Sequence, residues 1–310
     1  MINVLFSAKP AAWEEYAAPL RDAFAAAGLA CDLSRDHAPA TVDYIVFAPN
    51  GPVRDFTPFV NAKLVMGLWA GVETIVGNAT LTQPLARMVD DGLTQGMVEY
   101  VTGHVLRHHL GMDAHLRGQD GVWRDGVVPP LARQRPVTVL GLGALGAACG
   151  QALAALGFPV TGWSRSPKQI AGLRCLSGPA GLRDALTGAQ VVVLLLPQTP
   201  ATQNTLDADT LALLARGACV INPGRGPLID DDALLAALDS GQVGAATLDV
   251  FRTEPLPTAH PFWAHPQVTV TPHIASATRP ETAAQVIAAN IARGEAGQPF
   301  LHLVDRNAGY

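Results

Sequence analysis

The chain has 310 residues, of which 49% are apolar and 15% charged, and its net charge is -5. That length suffices for two domains with separate cores, and the composition is that of a compact globular protein rather than a disordered one. The acidic balance offers no broad basic field, which argues against nucleic acid as the main partner. The densest apolar run, residues 191–196, falls far short of the roughly 20 residues that cross a bilayer, and no basic leader opens the chain, so we expect a cytoplasmic protein with no membrane partner.

Short apolar runs alternating with Ala/Leu-rich stretches predict an α/β protein built on doubly wound parallel sheets. In chain order, residues 2–6, 44–48 and 64–68 read as buried strands, with a helix at 13–27. Residues 97–116 form a long helical pattern rich in histidine: His104, His108, His109 and His115. Only His104 and His108 share a face at four-residue spacing, with no carboxylate between them. Solvated or interfacial histidines fit better than metal ligands, and no metal is expected. Four widely spaced cysteines, Cys31, Cys149, Cys175 and Cys219, form no C-x-x-C pair and read as reduced, buried thiols. Residues 126–136, with three prolines, read as a linker.

Beyond the linker, strands are expected at 137–140, 159–163, 191–196, 218–221, 245–249 and 268–271, which make one dinucleotide-binding domain of six strands. A helix at 281–296 completes the chain and most simply packs back on the first third. The expected organisation is a discontinuous, flavodoxin-like substrate domain, residues 1–98 and 275–310, into which a Rossmann cofactor domain, residues 99–274, is inserted. The active site is expected in the cleft between them.

Gly141-Leu-Gly-Ala-Leu-Gly146 follows a β-branched strand and opens a helix, the context in which glycines cradle a pyrophosphate. Gly141 permits the tight turn, Gly143 lets the backbone approach the anion, and Gly146 lets helix and strand pack closely, with backbone N–H groups from Ala144 and Leu145 beside them. The next strand ends without the acidic residue that binds the adenosine ribose of NAD. The segment reads Trp163-Ser-Arg-Ser-Pro-Lys168, and between Asp125 and Asp184 there is no acidic residue while six Arg or Lys occur. Arg165 can fork onto a 2'-phosphate, Ser164 and Ser166 can donate hydroxyls, and Lys168 adds a point charge, so NADP is the expected cofactor, with NAD possible. A solvated basic loop without cofactor discrimination is the plain alternative.

Three further residues stand at the ends of apolar runs: Arg225 in Asn222-Pro-Gly-Arg-Gly226, Glu254 in Asp249-Val-Phe-Arg-Thr-Glu-Pro255, and His273 in Thr271-Pro-His-Ile-Ala-Ser276. Reducing a 2-keto acid requires a proton donor for the developing alkoxide and a cation for the carboxylate. An imidazolium suits the first task, and a carboxylate against its other ring nitrogen stabilises the charged form. Arg225 can bind the acid and polarise its keto oxygen.

These stretches, together with Leu195-Leu-Pro-Gln-Thr-Pro200 and Leu248-Asp-Val-Phe251, resemble the D-isomer-specific 2-hydroxyacid dehydrogenase family over essentially the whole chain. Trp163-Ser-Arg-Ser166 and the closing Val304-Asp-Arg-Asn-Ala-Gly-Tyr310 resemble its NADPH-dependent glyoxylate/hydroxypyruvate reductase branch. The resemblance implies that Arg225, Glu254 and His273 are catalytic. It also implies that Leu196, Pro197, Thr202, Pro223, Gly224, Asp249 and Ser276 join the fingerprint and Trp163 at the cofactor, with Asp249 on the nicotinamide carboxamide. The loop of Trp69, Ala70 and Gly71 would donate N–H groups to the substrate carboxylate, and the protein would be a homodimer built on the cofactor domains. Two departures carry weight. The family commonly places Ala before the catalytic Arg, where this chain has Pro223-Gly224. Trp69 puts a bulky ring in the presumed carboxylate loop, either narrowing the pocket or filling a domain interface. Trp123 and Trp263 fit core packing, the general habit of the indole, or a pocket completed by a second copy.

The expected activity is NADPH-dependent reduction of small 2-keto acids, glyoxylate and hydroxypyruvate above all, to glycolate and D-glycerate. A D-lactate or phenylpyruvate-type dehydrogenase with a wider pocket is the alternative within enzymes. A nucleotide-sensing, corepressor-like binding protein is the alternative outside them, disfavoured by the complete triplet.

Overall fold

A strand opens the chain: β1, Ile2–Ser7, then α1, Pro10–Ala26, and β2, Cys31–Ser34. These features come from a computed structural model that describes residues 1–123, 125, 128–306 and 308–309. The start of the expected linker at Gly126, and Asn307 and Tyr310 of the closing motif, lie outside the described residues. Next come β3, Tyr44–Phe47, β4, Leu64–Gly67, and the two-residue β5, Leu85–Ala86. Helices α2, Asp91–His109, and α3, Met112–Arg117, follow. The fingerprint region supplies β6, Val137–Leu140, α4, Ala144–Ala155, β7, Val160–Ser164, β8, Arg174–Ser177, α5, Gly178–Leu186, and β9, Val191–Leu194. The chain continues with α6, Ala208–Leu211, β10, Ala218–Asn222, α7, Asp231–Asp239, β11, Val243–Leu248, β12, Val268–Val270, and α8, Pro280–Glu295.

Two compact units result, one of residues 1–93 with 277–310 and one of residues 94–276. In the first, a parallel sheet runs β2-β1-β3-β4-β5, the flavodoxin-like order. Its central strands are buried on both faces, as parallel strands require. Val4, Phe6, Val46 and Met66 meet α1 and α8 on one side, while Leu5, Ile45, Phe47 and Val65 meet Phe56, Phe59 and Leu81 on the other. Pro10 and Pro280 each begin their helices, where a missing N–H costs nothing.

The second unit holds a parallel sheet of order β12-β11-β10-β9-β6-β7-β8. Counted from its first strand this is the doubly wound Rossmann order, reversing direction between β6 and β9, the switch point at which such sheets bind ligands. Val101 and Val105 of α2 and Cys149 and Leu153 of α4 cover one face, and Leu186, Leu211 and Leu234 of α5, α6 and α7 cover the other.

Where structure and expectation differ, the causes are local. The helix expected over 97–116 begins earlier, at Asp91, and breaks at Gly111, whose φ is 63°. Three strands escaped notice, and β2, β5 and β8 all lie at sheet edges. β8 raises the second sheet from the six strands expected to seven among the described residues. β2 and β8 are largely half-exposed and carry a weak apolar signal, while β5, though buried, is only two residues long.

Candidate active site

The turn from β6 into α4 is shaped by its glycines. Gly141 takes φ 105°, and a Cβ on Gly146 would stand 1.7 Å from the Gly141 carbonyl oxygen, so neither position accepts a side chain. A Cβ on Gly143 would meet nothing within 4 Å, which leaves the outer face of the turn open to a ligand. The first intrahelical bond is Ala147 N–H to Gly143 O, 2.9 Å. The N–H groups of Ala144, Leu145 and Gly146 therefore start a 12-residue helix without intrahelical acceptors, a site suited to a pyrophosphate.

The loop after β7 carries the basic residues. Ser164 is buried and its hydroxyl donates to Ser166 O at 2.8 Å, so it shapes the loop rather than offering its proton to a ligand. Trp163 donates its indole N–H to Gly178 O at 2.8 Å and packs on the core, tying β7 to α5. Arg165, Ser166 and Lys168 are exposed at the turn. After β9, Leu196 is buried, and the Thr202 hydroxyl donates to Pro197 O at 2.7 Å, closing that loop on itself.

Asn222 fixes the turn after β10. Its amide donates to Arg225 O at 2.9 Å and its Oδ1 accepts Gly224 N–H at 3.1 Å. Pro223 and Gly224 are buried beneath the half-buried Arg225. A Cβ on Gly224 would come within 2.7 Å of Leu194 O, so the alanine common there in the family would force β9 and β10 apart at their ends.

Glu254 and His273 meet directly: Nδ1 of the imidazole lies 2.7 Å from Oε2, while Oε1 accepts Phe251 N–H at 2.8 Å. With Nδ1 committed to the carboxylate, Nε2 is the nitrogen left to deliver a proton. His273 holds φ 54°, in the left-handed region. Asp249 is fully buried, its carboxylate accepting from the Thr271 hydroxyl and from the N–H groups of Ile274 and Ala275. Ser276 packs against α2, its Oγ 2.6 Å from where a Cβ on Gly96 would stand. Asn222 and Thr271 were visible only as parts of motifs, and no signal pointed to their tasks.

In the first unit, Trp69, Ala70 and Gly71 follow β4. Trp69 O accepts Met88 N–H at 3.1 Å, and the Leu68 carbonyl accepts from the Thr278 hydroxyl at 2.8 Å. The Trp69 side is 43% exposed.

Several sequence expectations are narrowed or corrected. Of the two readings offered for the histidines, solvated or interfacial, His108 and His109 take the second, buried between α2 and its neighbours. The His108 ring nitrogen Nε2 lies 2.9 Å from Thr247 Oγ1, His109 stacks edgewise on Phe158 at 5.1 Å, and burial lowers both from the usual histidine value, His108 to about 4. Trp123 and Trp263 are not core residues but 89% and 52% exposed. Of the cysteines, Cys149 and Cys219 are buried while Cys31 and Cys175 are half-buried, and all four are free thiols. Among the described residues no group of His, Cys, Asp or Glu could hold a metal, and no helix is long and apolar enough to cross a membrane.

The reversed strand order and the open glycine turn define the class, a dinucleotide-binding α/β protein. The model of the D-isomer specific 2-hydroxyacid dehydrogenase NAD binding domain matches residues 102–275. Glyoxylate/hydroxypyruvate reductase A of Serratia proteamaculans is 45% identical over 256 residues, 80% of this chain and 82% of that protein. Among solved structures, a D-isomer specific 2-hydroxyacid dehydrogenase from Xanthobacter autotrophicus Py2, in complex with NADPH and MES, superposes with a TM-score of 0.91 at 41% identity, covering 100% of this chain and 99% of that one. The NADPH-dependent glyoxylate/hydroxypyruvate reductase of Sinorhizobium meliloti, in complex with NADP and sulfate, gives 0.87 at 34% identity, with 100% of each chain covered. The chain belongs to the D-isomer specific 2-hydroxyacid dehydrogenase family.

Proposed function

We propose that the protein is an NADPH-dependent reductase of small 2-keto acids, reducing glyoxylate to glycolate and hydroxypyruvate to D-glycerate. The observation that carries the reading is the 2.7 Å pair of Glu254 and His273, set in the same doubly wound unit as the open glycine turn and Arg225. The names of the Serratia and Sinorhizobium relatives support the substrate and cofactor.

The groups present fit the cofactor. The Gly143 face is open for the pyrophosphate, and the exposed Arg165, Ser166 and Lys168 suit an extra phosphate on the adenosine ribose. When bound, NADPH supplies the hydride for the keto carbon. Arg225 holds the substrate carboxylate and polarises the keto oxygen. Glu254 orients the imidazole of His273 through Nδ1, and Nε2 passes its proton to the oxygen as negative charge develops there.

A homodimer joined through the cofactor-binding unit fits the exposed apolar side chains that gather over residues 110–131, among them Leu110, Met112, Leu116, Trp123 and Val128. A cytoplasmic place of action fits four free thiols.

Initial rates of NADPH and NADH oxidation against glyoxylate, hydroxypyruvate, pyruvate and phenylpyruvate test the reading. Fast NADPH oxidation with the first two is expected. A preference for phenylpyruvate would point to a wider pocket, and one for NADH would remove the basic loop from cofactor choice. His273→Gln should lose turnover by about a hundredfold or more while still binding NADPH, since only proton delivery is removed.

A further inference from the structure

We propose that Tyr100, on α2, is a positioning residue for the reaction: through the Thr271 hydroxyl and the Asp249 carboxylate, its phenol holds the turn that presents His273. The proposal rests on His273 being the proton donor of the reaction proposed above.

That turn needs holding. His273 sits at φ 54°, a region that residues with a side chain rarely occupy. Three consecutive N–H groups of the turn are gathered by one residue. Asp249 O accepts His273 N–H at 2.8 Å, Oδ1 accepts Ile274 N–H at 2.9 Å, and Oδ2 accepts Ala275 N–H at 2.9 Å. Oδ1 also accepts the Thr271 hydroxyl at 2.6 Å. Whatever orients Asp249 therefore orients His273.

The direction of the remaining bond follows from counting protons. Thr271 has one hydroxyl proton, and a carboxylate already accepting backbone N–H groups takes it. The Tyr100 hydroxyl, 2.7 Å from Thr271 Oγ1, is then the donor, and the chain runs from phenol to hydroxyl to carboxylate to turn. Bonds linked in this sense strengthen one another. Burial pushes the phenol up to about 12, so it keeps its proton throughout the neutral range. Its ring is fixed against His104, centroids 4.4 Å apart.

The docking of α2 does not depend on that hydroxyl. Val101 and Val105 are buried in the core, Arg107 donates to Thr269 Oγ1 at 2.9 Å, and His108 is bonded to Thr247. Removing one oxygen from Tyr100 leaves these contacts in place and frees only the chain leading to His273.

Tyr100→Phe, Thr271→Val, Thr271→Ser and the double variant Tyr100→Phe/Thr271→Val test this in the full-length enzyme, with His273→Gln measured alongside. Readouts are kcat and KM for glyoxylate, the single-turnover rate of NADPH oxidation, the NADPH dissociation constant from fluorescence, and Tm. We expect Tyr100→Phe to slow kcat and single turnover by about fivefold or more, because proton transfer is sensitive to small misplacement, with KM and NADPH affinity within about twofold of wild type. Its Tm should stay within about 2 °C. Thr271→Val should lose at least as much, the double variant no more than Thr271→Val alone, and Thr271→Ser should recover most of the loss. Wild-type turnover in Tyr100→Phe would overturn the proposal. So would a loss of rate matched by losses of NADPH affinity and Tm, which would make Tyr100 a packing residue. Wild-type turnover in His273→Gln would instead remove the proton donor itself, whatever Tyr100→Phe did.

Discussion

Arg165 and Lys168 stand exposed on the loop after β7, while the buried Ser164 beside them gives its hydroxyl to the loop. The phosphate recognition proposed for Arg165 and Lys168 and the shaping of the loop by Ser164 thus fall to different side chains. Arg165→Asp should weaken NADPH binding by about tenfold or more, through loss of a charge-assisted contact and gain of repulsion, yet change NADH binding by about twofold at most. Fluorescence titration with each cofactor measures it, and equal losses would take Arg165 out of phosphate recognition. Residues proposed for the site announced themselves in the sequence by type and spacing, as Arg165, Arg225, Glu254 and His273 did. Those that hold them in place did not. Tyr100 lies 171 positions from the threonine it bonds, and a tyrosine in a helix carries no sign of such a partner.

At the level of elements, α2 is fastened to β11 and β12 by side chains rather than by apolar packing alone. His108 is neutral in that position. Burial, and then the charges of Arg107, His104 and Arg135, lower it to about 4 against the pull of Asp113, whose carboxylate lies 3.9 Å from Nδ1. The folded value lies below the unfolded one of about 6.5, so the unfolded chain takes up the proton first. Above pH 6.5 or so the group leaves stability unchanged, and between about 6.5 and 4 it costs progressively more, up to about 3 kcal/mol. Thermal melts at pH 7.5 and 5 should therefore show a larger fall in Tm for the wild type than for His108→Asn, and parallel falls would count against it. The strands of this sheet were legible where both faces are buried. β9 is an unbroken apolar run, whereas β8 begins with Arg174 and stays half-exposed, which hides it from any reading of hydrophobic pattern.

For the whole molecule, the exposed apolar side chains between Leu110 and Leu131 set the expectation for assembly. Sedimentation should give twice the mass of one chain, and Trp123→Asp, which alters a side chain 89% exposed in the single chain, should shift the equilibrium toward the monomer without lowering Tm of the dissociated form. A wild-type monomer would end the proposal of a homodimer. The first unit is closed by a helix distant in sequence. Ala283, Ala284, Ile287 and Ile291 of α8 complete its core, and Glu295 accepts from Tyr44 and pairs with Lys63, each at 2.7 Å. During synthesis the chain thus leaves the ribosome in an order that its architecture does not follow. The stretch from 94 to 276 emerges with every strand of its sheet consecutive and can close as it appears. The first 93 residues must wait, with one face of β1, β3 and β4 covered by α1 alone, until α8 has been made.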